Sequence, residues 1–344
     1  MWNESQIGLV MPECAIFKHG VVIDTTQSIR PCCAWQSTEH EEVLYFEDDW
    51  QTRHAEWGKR SENEWLEQCA QCKLSEENTD RDKNSVISLR QMYNERLHRK
   101  GYVGIVHWDL KINNTCNFSC RMCNPGSSSI WTNLIRDNPE EKWYALDQRP
   151  AVRGTWAKKA LEFSNLMLDA KIIKFTGGEP FMIPQVKKII QRLIDEDVSS
   201  NIELELITNG SYDMTGWNHF FEKFKTVKIN VSIEAIGKRY EYIRPGSSWS
   251  QTSENLVKFN KLKPRNTHVT VSVLPMIFNY NNMDEILDWC KNNDIDCFKS
   301  TPVIRPSFMS PSAMEDKSLR EQLIKQSEIM DKIQDTNWRD FVNE

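Results

Sequence analysis

The sequence predicts an α/β fold whose main part is a partial (β/α)6 barrel of the TIM type, preceded by a small cysteine-rich domain. From about residue 101 onward, six short segments rich in β-branched residues alternate with amphipathic segments, a pattern typical of parallel strands joined by helices. The first hundred residues lack this alternation and contain five of the ten cysteines. Because six units are fewer than the eight of a closed barrel, we expect a partial one.

The six predicted strands are short and are bounded by turn-forming residues; they are residues 103–112, 171–175, 202–208, 227–233, 268–275 and 296–302. The clearest helix is predicted over residues 184–197, where Pro184 suits the first turn. Its apolar side chains share one helical face, and they are Val186, Ile189, Ile190, Leu193 and Ile194. Residues 253–263 and 282–294 repeat this periodicity, so helices are expected between the strands.

The predicted domains follow from where this alternation begins and ends. Residues 1–100 form the cysteine-rich N-terminal domain, which includes a possible hairpin over residues 14–33. The barrel covers residues 101–310, and apolar residues at helical spacing predict a C-terminal helix within residues 311–344. In α/β folds of this kind, the loops at the carboxyl ends of the strands carry the chemistry.

The composition narrows the possible functions. Lys and Arg number 43 against 49 Asp and Glu, a formal net charge of -6, which argues against a general nucleic-acid binder. The first residues lack a basic stretch followed by an apolar core, and no apolar run reaches the roughly 18 residues of a membrane span. We therefore expect a cytoplasmic protein with no nucleic-acid or membrane partner. In that compartment, clustered cysteines favour metal binding or redox chemistry over disulfides.

The tightest cysteine group directly follows the first predicted barrel strand. Cys116, Cys120 and Cys123 have the spacing C-x3-C-x2-C within the stretch NNTCNFSCRMCNPG. A structural zinc ion takes four ligands, and so does an ordinary four-iron four-sulfur cluster. Three cysteines can hold three corners of such a cluster and leave one iron open for a substrate or cofactor. The alternative is a zinc site that takes its fourth ligand from elsewhere in the chain.

This loop, at the start of a series of βα units, resembles that of the radical S-adenosylmethionine (SAM) superfamily. The resemblance implies a 4Fe-4S cluster whose open iron binds the amino and carboxylate groups of SAM. An electron from the cluster would cleave SAM to methionine and a 5′-deoxyadenosyl radical, and this radical would take a hydrogen atom from the substrate. Family members often have an aromatic residue just before the third cysteine, where it contacts the adenine. Met122 has that position here and is expected to pack against the adenine with weaker stacking.

Two later segments resemble SAM-contacting segments of the same superfamily. After the second strand, FTGGEP places Gly177, Gly178 and Glu179 where family members contact the SAM amino group. The glycines allow a sharp turn and a close approach of the backbone to a ligand, although a plain turn is the commoner explanation of such a motif taken alone. The third strand ends in ITNG, residues 207–210, which is also usual in the superfamily and is also a common turn sequence.

A third segment, VSIEAIGKRYEYIRPG, begins at the end of the fourth predicted strand. It resembles a segment of peptide-modifying superfamily members. The resemblance implies that Ser232 and Arg244 hold the SAM carboxylate and ribose, and a guanidinium suits a carboxylate. Glu234 and Ala235 replace the Asp and Gly that are commoner at these positions. Glu234 and Tyr240 are the candidates for a base acting on the substrate, and the sequence does not assign that role to either.

The five N-terminal cysteines form a second, looser group. Cys14, the pair Cys32 and Cys33, and the C-x2-C pair Cys69 and Cys72 can supply four ligands and one spare. The arrangement resembles the twitch or SPASM-like auxiliary-cluster domain of radical SAM maturases, placed here before the barrel. The resemblance implies that Cys14, Cys32, Cys69 and Cys72 bind a second 4Fe-4S cluster, with Cys33 as an alternative to Cys32. A zinc site of four cysteines that only stabilises the fold remains the alternative.

Taken together, the resemblance implies a radical SAM enzyme with an auxiliary cluster that acts on a peptide or protein substrate. Its expected partners are that substrate and an electron donor of the flavodoxin or ferredoxin type. One alternative is the same radical chemistry on a small metabolite, sugar or nucleotide. The other alternative is a metal-binding interaction module that has lost catalysis.

Overall fold

The structure, a computed structural model, describes residues 13–35, 44–45, 49–62, 64–77, 88–97, 101–140, 163–280, 282–300, 302–303, 306–318, 320–321 and 324–325. In these ranges nine strands form a single sheet. They are β1 (Gly20–Ile23), β2 (Ser28–Arg30), β3 (Leu44–Tyr45), β4 (His107–Leu110), β5 (Ile172–Phe175), β6 (Glu203–Thr208), β7 (Thr226–Ser232), β8 (Thr267–Val273) and β9 (Asp296–Lys299). The strand order is β3-β2-β1-β4-β5-β6-β7-β8-β9.

The helices surround this sheet and connect its strands. They are α1 (Ala15–His19), α2 (Trp50–Ser61), α3 (Ala70–Glu77), α4 (Leu89–Leu97), α5 (Ser129–Asp137), α6 (Pro184–Asp195), α7 (Asn218–Phe221), α8 (Gly237–Ile243), α9 (Trp249–Leu262) and α10 (Met283–Asn292). Short 3-10 helices cover Glu67–Cys69, Ser164–Met167, Pro180–Met182, Ser199–Asn201, Met214–Trp217, Ser307–Met309 and Pro311–Met314.

The predicted partial barrel is confirmed. Strands β4 to β9 lie within the six predicted strand segments to within one residue, and each is hydrogen-bonded in parallel to the next in chain order. Helix α6 occupies most of the range predicted for it and buries Val186, Ile189, Ile190 and Leu193. Of the predicted C-terminal helix, residues 317–318, 320–321 and 324–325 are helical, and residues 326–344 lie outside the described ranges.

The predicted N-terminal hairpin is present as β1 and β2, which pair antiparallel. Its position was not expected from the sequence. Strand β1 also pairs in parallel with β4, so the hairpin extends the barrel sheet at one edge. The domain boundaries at residues 100 and 310 remain predictions, because one continuous sheet runs through the first of them.

The two faces of the sheet differ in chemistry, as the alternation of side chains along a strand requires. One face is apolar and packs against the helices, with Trp108, Phe175, Leu206, Val231 and Val271 in the main core. The opposite face is mostly polar, and we call it the lumen face. From β4 to β8 its polar side chains are His107, Asp109, Lys174, Glu203, Glu205, Thr226, Lys228, Asn230, Ser232, His268, Thr270 and Ser272, and the apolar Ile172 and Ile207 lie among them.

Helix α4 lies across the amino end of the lumen face. Its residues Tyr93 and Leu97 share a second apolar cluster with Ile172 of β5. Arg96 donates hydrogen bonds to Glu203 and Glu205 of β6. The helix therefore closes the base of the barrel, and the described part of the lumen opens toward the carboxyl ends of the strands. No helix in the described ranges is both long and apolar enough to cross a bilayer.

Candidate functional site

The predicted three-cysteine loop connects β4 to α5 at the carboxyl end of the sheet. The first turn of α5 holds this loop in place. The Ser129 hydroxyl donates to the Cys116 carbonyl and accepts from the Cys116 amide, both at 3.2 Å. The indole of Trp131 donates to the Cys120 carbonyl at 2.9 Å. Because these bonds reach the backbone of two cysteines, they hold the loop without using the thiol groups.

The FTGGEP segment packs directly against the same loop. The Gly178 amide donates to Asn113 O at 3.3 Å, and the Glu179 amide donates to Thr115 O at 2.7 Å. A Cβ atom added at Gly178 would lie 2.1 Å from the Thr115 carbonyl oxygen, so a side chain cannot fit without moving the loop. Gly177 has a φ of +95°, a conformation that glycine adopts without strain. The two glycines therefore serve a close backbone approach as well as a turn.

The Glu179 side chain is buried and holds the end of β6. Its carboxylate accepts from the Thr208 hydroxyl at 2.7 Å, from the Asn209 amide at 2.8 Å and from the Phe181 amide at 3.2 Å. Burial raises the pKa of Glu179 to about 7, although these hydrogen bonds favour the charged form. All three bonds involve protein donors, so the carboxylate acts first as a link between the segments after β5 and β6.

Asn209 extends this link to the cysteine loop. Its side-chain amide donates to Asn117 Oδ1 at 2.9 Å and lies 3.9 Å from Cys116 Sγ. The predicted TNG turn thus contacts the predicted metal ligands. Tyr240 does not reach the site as a free base, because its hydroxyl donates to the carbonyl of Asn209 or to Thr252 inside the core.

The end of α8 and the residues that follow it bind the other side of the loop through backbone hydrogen bonds. The Ser119 amide donates to Pro245 O and the Arg121 amide donates to Ile243 O, both at 3.0 Å. The Arg121 guanidinium donates to Tyr242 O at 2.8 Å and lies over the Tyr242 ring. The loop is therefore clamped between segments that follow β5, β6 and β7.

Arg244 and Glu234 form a buried ion pair beside Cys120. The Arg244 guanidinium donates through Nε and Nη2 to the two carboxylate oxygens of Glu234, and the Nη2–Oε1 distance is 2.7 Å. A further donor, Nη1, lies 3.4 Å from Cys120 Sγ. Ser232 lies at the end of β7, half-buried on the lumen face, and Met122 is half-buried against the main core. Met122 thus lies in the cysteine loop, and Gly178, Glu179 and Arg244 contact it, whereas Ser232 is placed only by its position at the end of β7.

The donor set of this loop fits an iron–sulfur cluster. Burial raises the pKa of all three thiols, to about 11 for Cys123, so a bound cation is needed to hold them as thiolates at neutral pH. Amide and guanidinium donors near Cys116 and Cys120 suit the sulfur ligands of a negatively charged cluster. No three His, Cys, Asp or Glu side chains in the described ranges are arranged to hold a single metal ion, whereas in a 4Fe-4S cluster each cysteine binds a different iron.

The N-terminal cysteines predicted as ligands come together near the opposite end of the sheet. Cys14 precedes β1 and Cys32 follows the antiparallel β2, so both lie toward the amino end of β4. Cys69 ends a 3-10 helix and Cys72 lies in α3. These four residues line one cavity, together with apolar side chains that include Ile16 and Leu66. Cys33, the predicted alternative to Cys32, is exposed and does not line this cavity.

The cavity surroundings keep its thiols protonated when no metal is present. Burial raises the pKa of Cys14 and of Cys69 to about 12, and the neighbouring cysteines add to the shift. Arg90 of α4 also lines the cavity; it pairs with Glu76 and donates to Glu13 O at 3.0 Å. All ten cysteines of the chain are free thiols. The cavity is therefore lined by four cysteines from three separate segments.

Sequence reasoning missed the residues that hold the cysteine loop in place. Ser128 donates to Phe118 O at 2.7 Å, and Ser129 and Trp131 bind the cysteine backbone as described above. A run of serines directly before an apolar helix is a helix-start signal that could have found them. Asn117 and the contact of Arg244 with Cys120 have no comparable signal, because they depend on how separate loops pack.

Comparison with known proteins adds a family match. The sequence profile described as the Radical SAM superfamily matches residues 110–291. Among curated proteins, probable GTP 3',8-cyclases from two strains of Methanococcus maripaludis are 24% identical over 186 residues. The match covers 53% of this chain and 54% of each relative, so this chain spans about half the length of these relatives.

Solved structures give weaker likenesses. Streptococcus suis SuiB bound to precursor peptide SuiA has a TM-score of 0.44 and 15% identity, covering 80% of this chain and 60% of that chain. SuiB bound to S-adenosylmethionine has a TM-score of 0.42 and 14% identity, covering 59% of this chain and 42% of that chain.

Proposed function

Because this chain belongs to the radical SAM superfamily, we propose that it is an enzyme that cleaves SAM reductively and abstracts hydrogen from a peptide or protein substrate. The observation that carries the proposal is the loop with Cys116, Cys120 and Cys123. It lies at the carboxyl end of β4 and is held by backbone hydrogen bonds to the segments after β5 and β7. In folds of this class, that edge of the sheet is where cofactor and substrate meet.

The three cysteines would hold the 4Fe-4S cluster that the superfamily implies. When bound, the cluster and SAM supply one-electron cleavage of the cofactor and a 5′-deoxyadenosyl radical that takes hydrogen from the substrate. We propose that Gly177 and Gly178 bring backbone groups to the SAM amino group. Glu179 holds the ends of β5 and β6 together there. Ser232 and Arg244 are the proposed partners of the SAM carboxylate and ribose, and Met122 the proposed contact of the adenine.

We propose a second 4Fe-4S cluster in the N-terminal cavity, bound by Cys14, Cys32, Cys69 and Cys72. The shared cavity of these four residues supports this set over one that includes Cys33. The cavity lies beyond α4 at the amino end of the barrel, while the SAM site lies at the carboxyl end. A substrate in the lumen would lie between the two sites, so an auxiliary cluster could accept an electron from the substrate radical.

The charges on the lumen face favour binding of an uncharged part of the substrate inside the barrel. Within strands β4 to β8 and α4, each Lys or Arg on this face is already paired with a carboxylate. Lys174 lies 2.9 Å from Asp109, Lys228 lies 2.7 Å from Glu203, and Arg96 pairs with Glu203 and Glu205. These three cations balance three carboxylates. Nearer the carboxyl end, the face carries the neutral side chains Asn230, Ser232, Thr270 and Ser272.

A nucleotide is the second candidate substrate, because the curated relatives are named as probable GTP 3',8-cyclases. A nucleoside triphosphate needs Arg or Lys side chains free to bind its phosphates. The paired cations of the described lumen favour a peptide group over a triphosphate at this position. A non-catalytic metal-binding module is the least favoured candidate, because the cysteine loop and the three segments around it are all present.

The test begins with anaerobically purified, full-length protein. Two clusters predict about eight irons per chain, whereas about four irons would contradict the auxiliary cluster. Reduced protein should release 5′-deoxyadenosine from SAM, and its failure to do so would favour the non-catalytic module. The substrate class is then tested by adding deuterated peptides or deuterated nucleotides. Deuterium in 5′-deoxyadenosine from the peptides alone supports the proposal, and transfer from the nucleotides alone contradicts it.

The proposal also includes a cellular location and an electron donor. We propose a cytoplasmic protein that receives electrons from a flavodoxin or ferredoxin. A reducing compartment suits a chain whose ten cysteines form no disulfide. Reduction of the first cluster by a purified flavodoxin system, followed by absorbance, would test the donor without any substrate.

A further inference from the structure

The ion pair of Glu234 and Arg244 has an unusual position for a buried salt bridge, since it touches a predicted cluster ligand. Arg244 is 6% exposed and Glu234 is 1% exposed. Nε and Nη2 of the guanidinium engage both oxygens of Glu234, while Nη1 lies 3.4 Å from Cys120 Sγ. The carboxylate lies on the far side of the guanidinium from the sulfur, so it fixes the direction of the third donor.

The surrounding backbone prevents this donor from turning away. The Arg121 amide donates to Ile243 O, and the Ser119 amide donates to Pro245 O, so the residues on both sides of Arg244 are tied to both neighbours of Cys120. The Glu234 carbonyl accepts from the Asn279 side chain at 2.9 Å, which holds the other partner. The contact between the guanidinium and the sulfur is therefore set by the fold.

We propose that Glu234 and Arg244 form a positioning pair that sets the reduction potential of the SAM-binding cluster through Cys120. Hydrogen bonds to cluster sulfurs and the net charge beside a cluster are among the main determinants of its potential. Accepting one electron makes the cluster more negative. The Arg244 cation and its donor to Cys120 stabilise that reduced form, and the Glu234 carboxylate partly cancels the effect.

This role is compatible with a contact between Arg244 and SAM. A guanidinium has five N–H donors. Three are used by Glu234 and Cys120, so two remain for a carboxylate of the cofactor. The inference rests on the cluster implied by superfamily membership and is independent of the proposed peptide substrate.

The experiment measures the midpoint potential of the cluster in reconstituted, full-length protein without SAM or substrate. Electron paramagnetic resonance follows its reduction by dithionite in the presence of mediators. We expect Arg244→Gln to shift the potential to more negative values and Glu234→Gln to shift it to less negative values. Each shift should be at least about tenfold in the ratio of reduced to oxidised cluster at a fixed potential, or ~59 mV for a one-electron couple.

The opposite signs distinguish this role from a merely structural one. A structural pair would give lower iron content or stability in both variants, with no opposed shift. The double variant Glu234→Gln with Arg244→Gln removes both charges and should lie between the two single variants. If Arg244→Gln does not retain iron, the midpoint potential of Glu234→Gln must still shift to less negative values. That variant keeps the Arg244 donor to Cys120.

Two results would overturn the proposal. The first is a potential that stays within twofold of the parent protein in every variant that retains iron, even if SAM affinity falls, since Arg244 would then act on SAM alone. The second is a shift of both single variants in the same direction. If the variants show the expected shifts but the parent protein transfers no deuterium from peptides, only the proposed substrate is contradicted.

Discussion

The two cysteine sites of this protein lie toward opposite ends of one sheet and are built in different ways. The carboxyl-end site takes Cys116, Cys120 and Cys123 from a single loop of eight residues. The amino-end site takes its four cysteines from three segments spread over residues 14–72 and assembles them around one cavity. The first site is therefore local in sequence, whereas the second exists only when separate helices and strands have packed.

This difference has consequences for how each site depends on folding. Bringing distant segments together has an entropic cost that grows with the length of the chain between them. Cys14, Cys69 and Cys32 belong to or pack against the apolar cluster that also contains Tyr93 and Leu97 of α4. Metal binding at the amino-end site should thus be coupled to the folding of residues 1–100, because metal ligands rarely converge in an unfolded chain. The carboxyl-end loop should depend less on metal for its shape.

The largest effect is expected at the local site. Cys116→Ala should remove one of three cluster ligands and reduce SAM cleavage to background, a loss of at least ~1,000-fold. The measurement is 5′-deoxyadenosine released by reduced protein, together with iron content. The proposed N-terminal cluster should keep its iron, about half of the total expected for the parent protein with two clusters. Loss of all iron would instead mean that the two sites are not separately assembled.

A smaller and more selective effect is expected at the assembled site. Cys69→Ala should retain slow, uncoupled cleavage of SAM but stop product formation, because a substrate radical would lose its electron acceptor. Iron content should fall by about half. The matched control is Cys33→Ala, which changes an exposed cysteine outside the cavity and should keep both iron and turnover. Equal loss of cleavage and turnover in Cys69→Ala would indicate that the N-terminal site is needed only for folding.

The backbone contact beside the local site should give a partial loss of SAM cleavage. Gly178→Ala would place a Cβ atom 2.1 Å from Thr115 O and push the cysteine loop away from the FTGGEP segment. We expect SAM cleavage to fall by about 10–100-fold, as for other small misplacements of a reacting group. Gly216→Ala is the control, because a Cβ there meets no atom within 4 Å. Equal activity of the two variants would contradict a role of this contact in positioning the loop.

The sequence was sufficient for the parts of the molecule that depend on local pattern. The six barrel strands and α6 were predicted, because alternation and helical periodicity report directly on which side chains are buried. The cysteine spacing and the two glycines marked the carboxyl-end loop. In these cases the relevant residues lie close together in the chain.

The sequence was insufficient where the structure depends on packing between distant segments. Nothing in residues 14–33 indicates that β1 pairs with β4 and extends the barrel sheet. The same holds for Arg96 of α4, which reaches Glu203 and Glu205 more than a hundred residues away. The pairing of Glu234 with Arg244 was also not predicted. Ion pairs of this kind leave no periodic signal, so only a structure can assign the partners.

The smallest effect on SAM chemistry is expected at the strand that lies between the two sites. On β4, Asp109 pairs with Lys174 at 2.9 Å and accepts from the Thr176 hydroxyl at 3.0 Å, next to Gly177. Burial alone would raise the pKa of Asp109, but the Lys174 charge and hydrogen bonds outweigh it, and the pKa lies below its usual value. Asp109→Asn should lower the free energy of unfolding by about 3 kcal/mol at neutral pH, because Lys174 is left without its charged partner.

The pH dependence of this effect has a defined sign. Because the folded-state pKa is lowered, the stabilisation by Asp109 is fully present above the unfolded value of about 4 and is lost as the pH falls through the folded value. The difference in free energy of unfolding between the parent protein and Asp109→Asn should therefore shrink below about pH 4.

Urea unfolding of the apoprotein from pH 7 downward measures this difference, with the exposed pair of Asp213 and Lys258 as control. Asp213→Asn should cost less than about 1 kcal/mol, since exposed pairs contribute little. The difference in free energy of unfolding between the parent protein and Asp109→Asn could instead stay constant from neutral to acid pH. In that case the Asp109 carboxylate would not be the group that links β4 to β5.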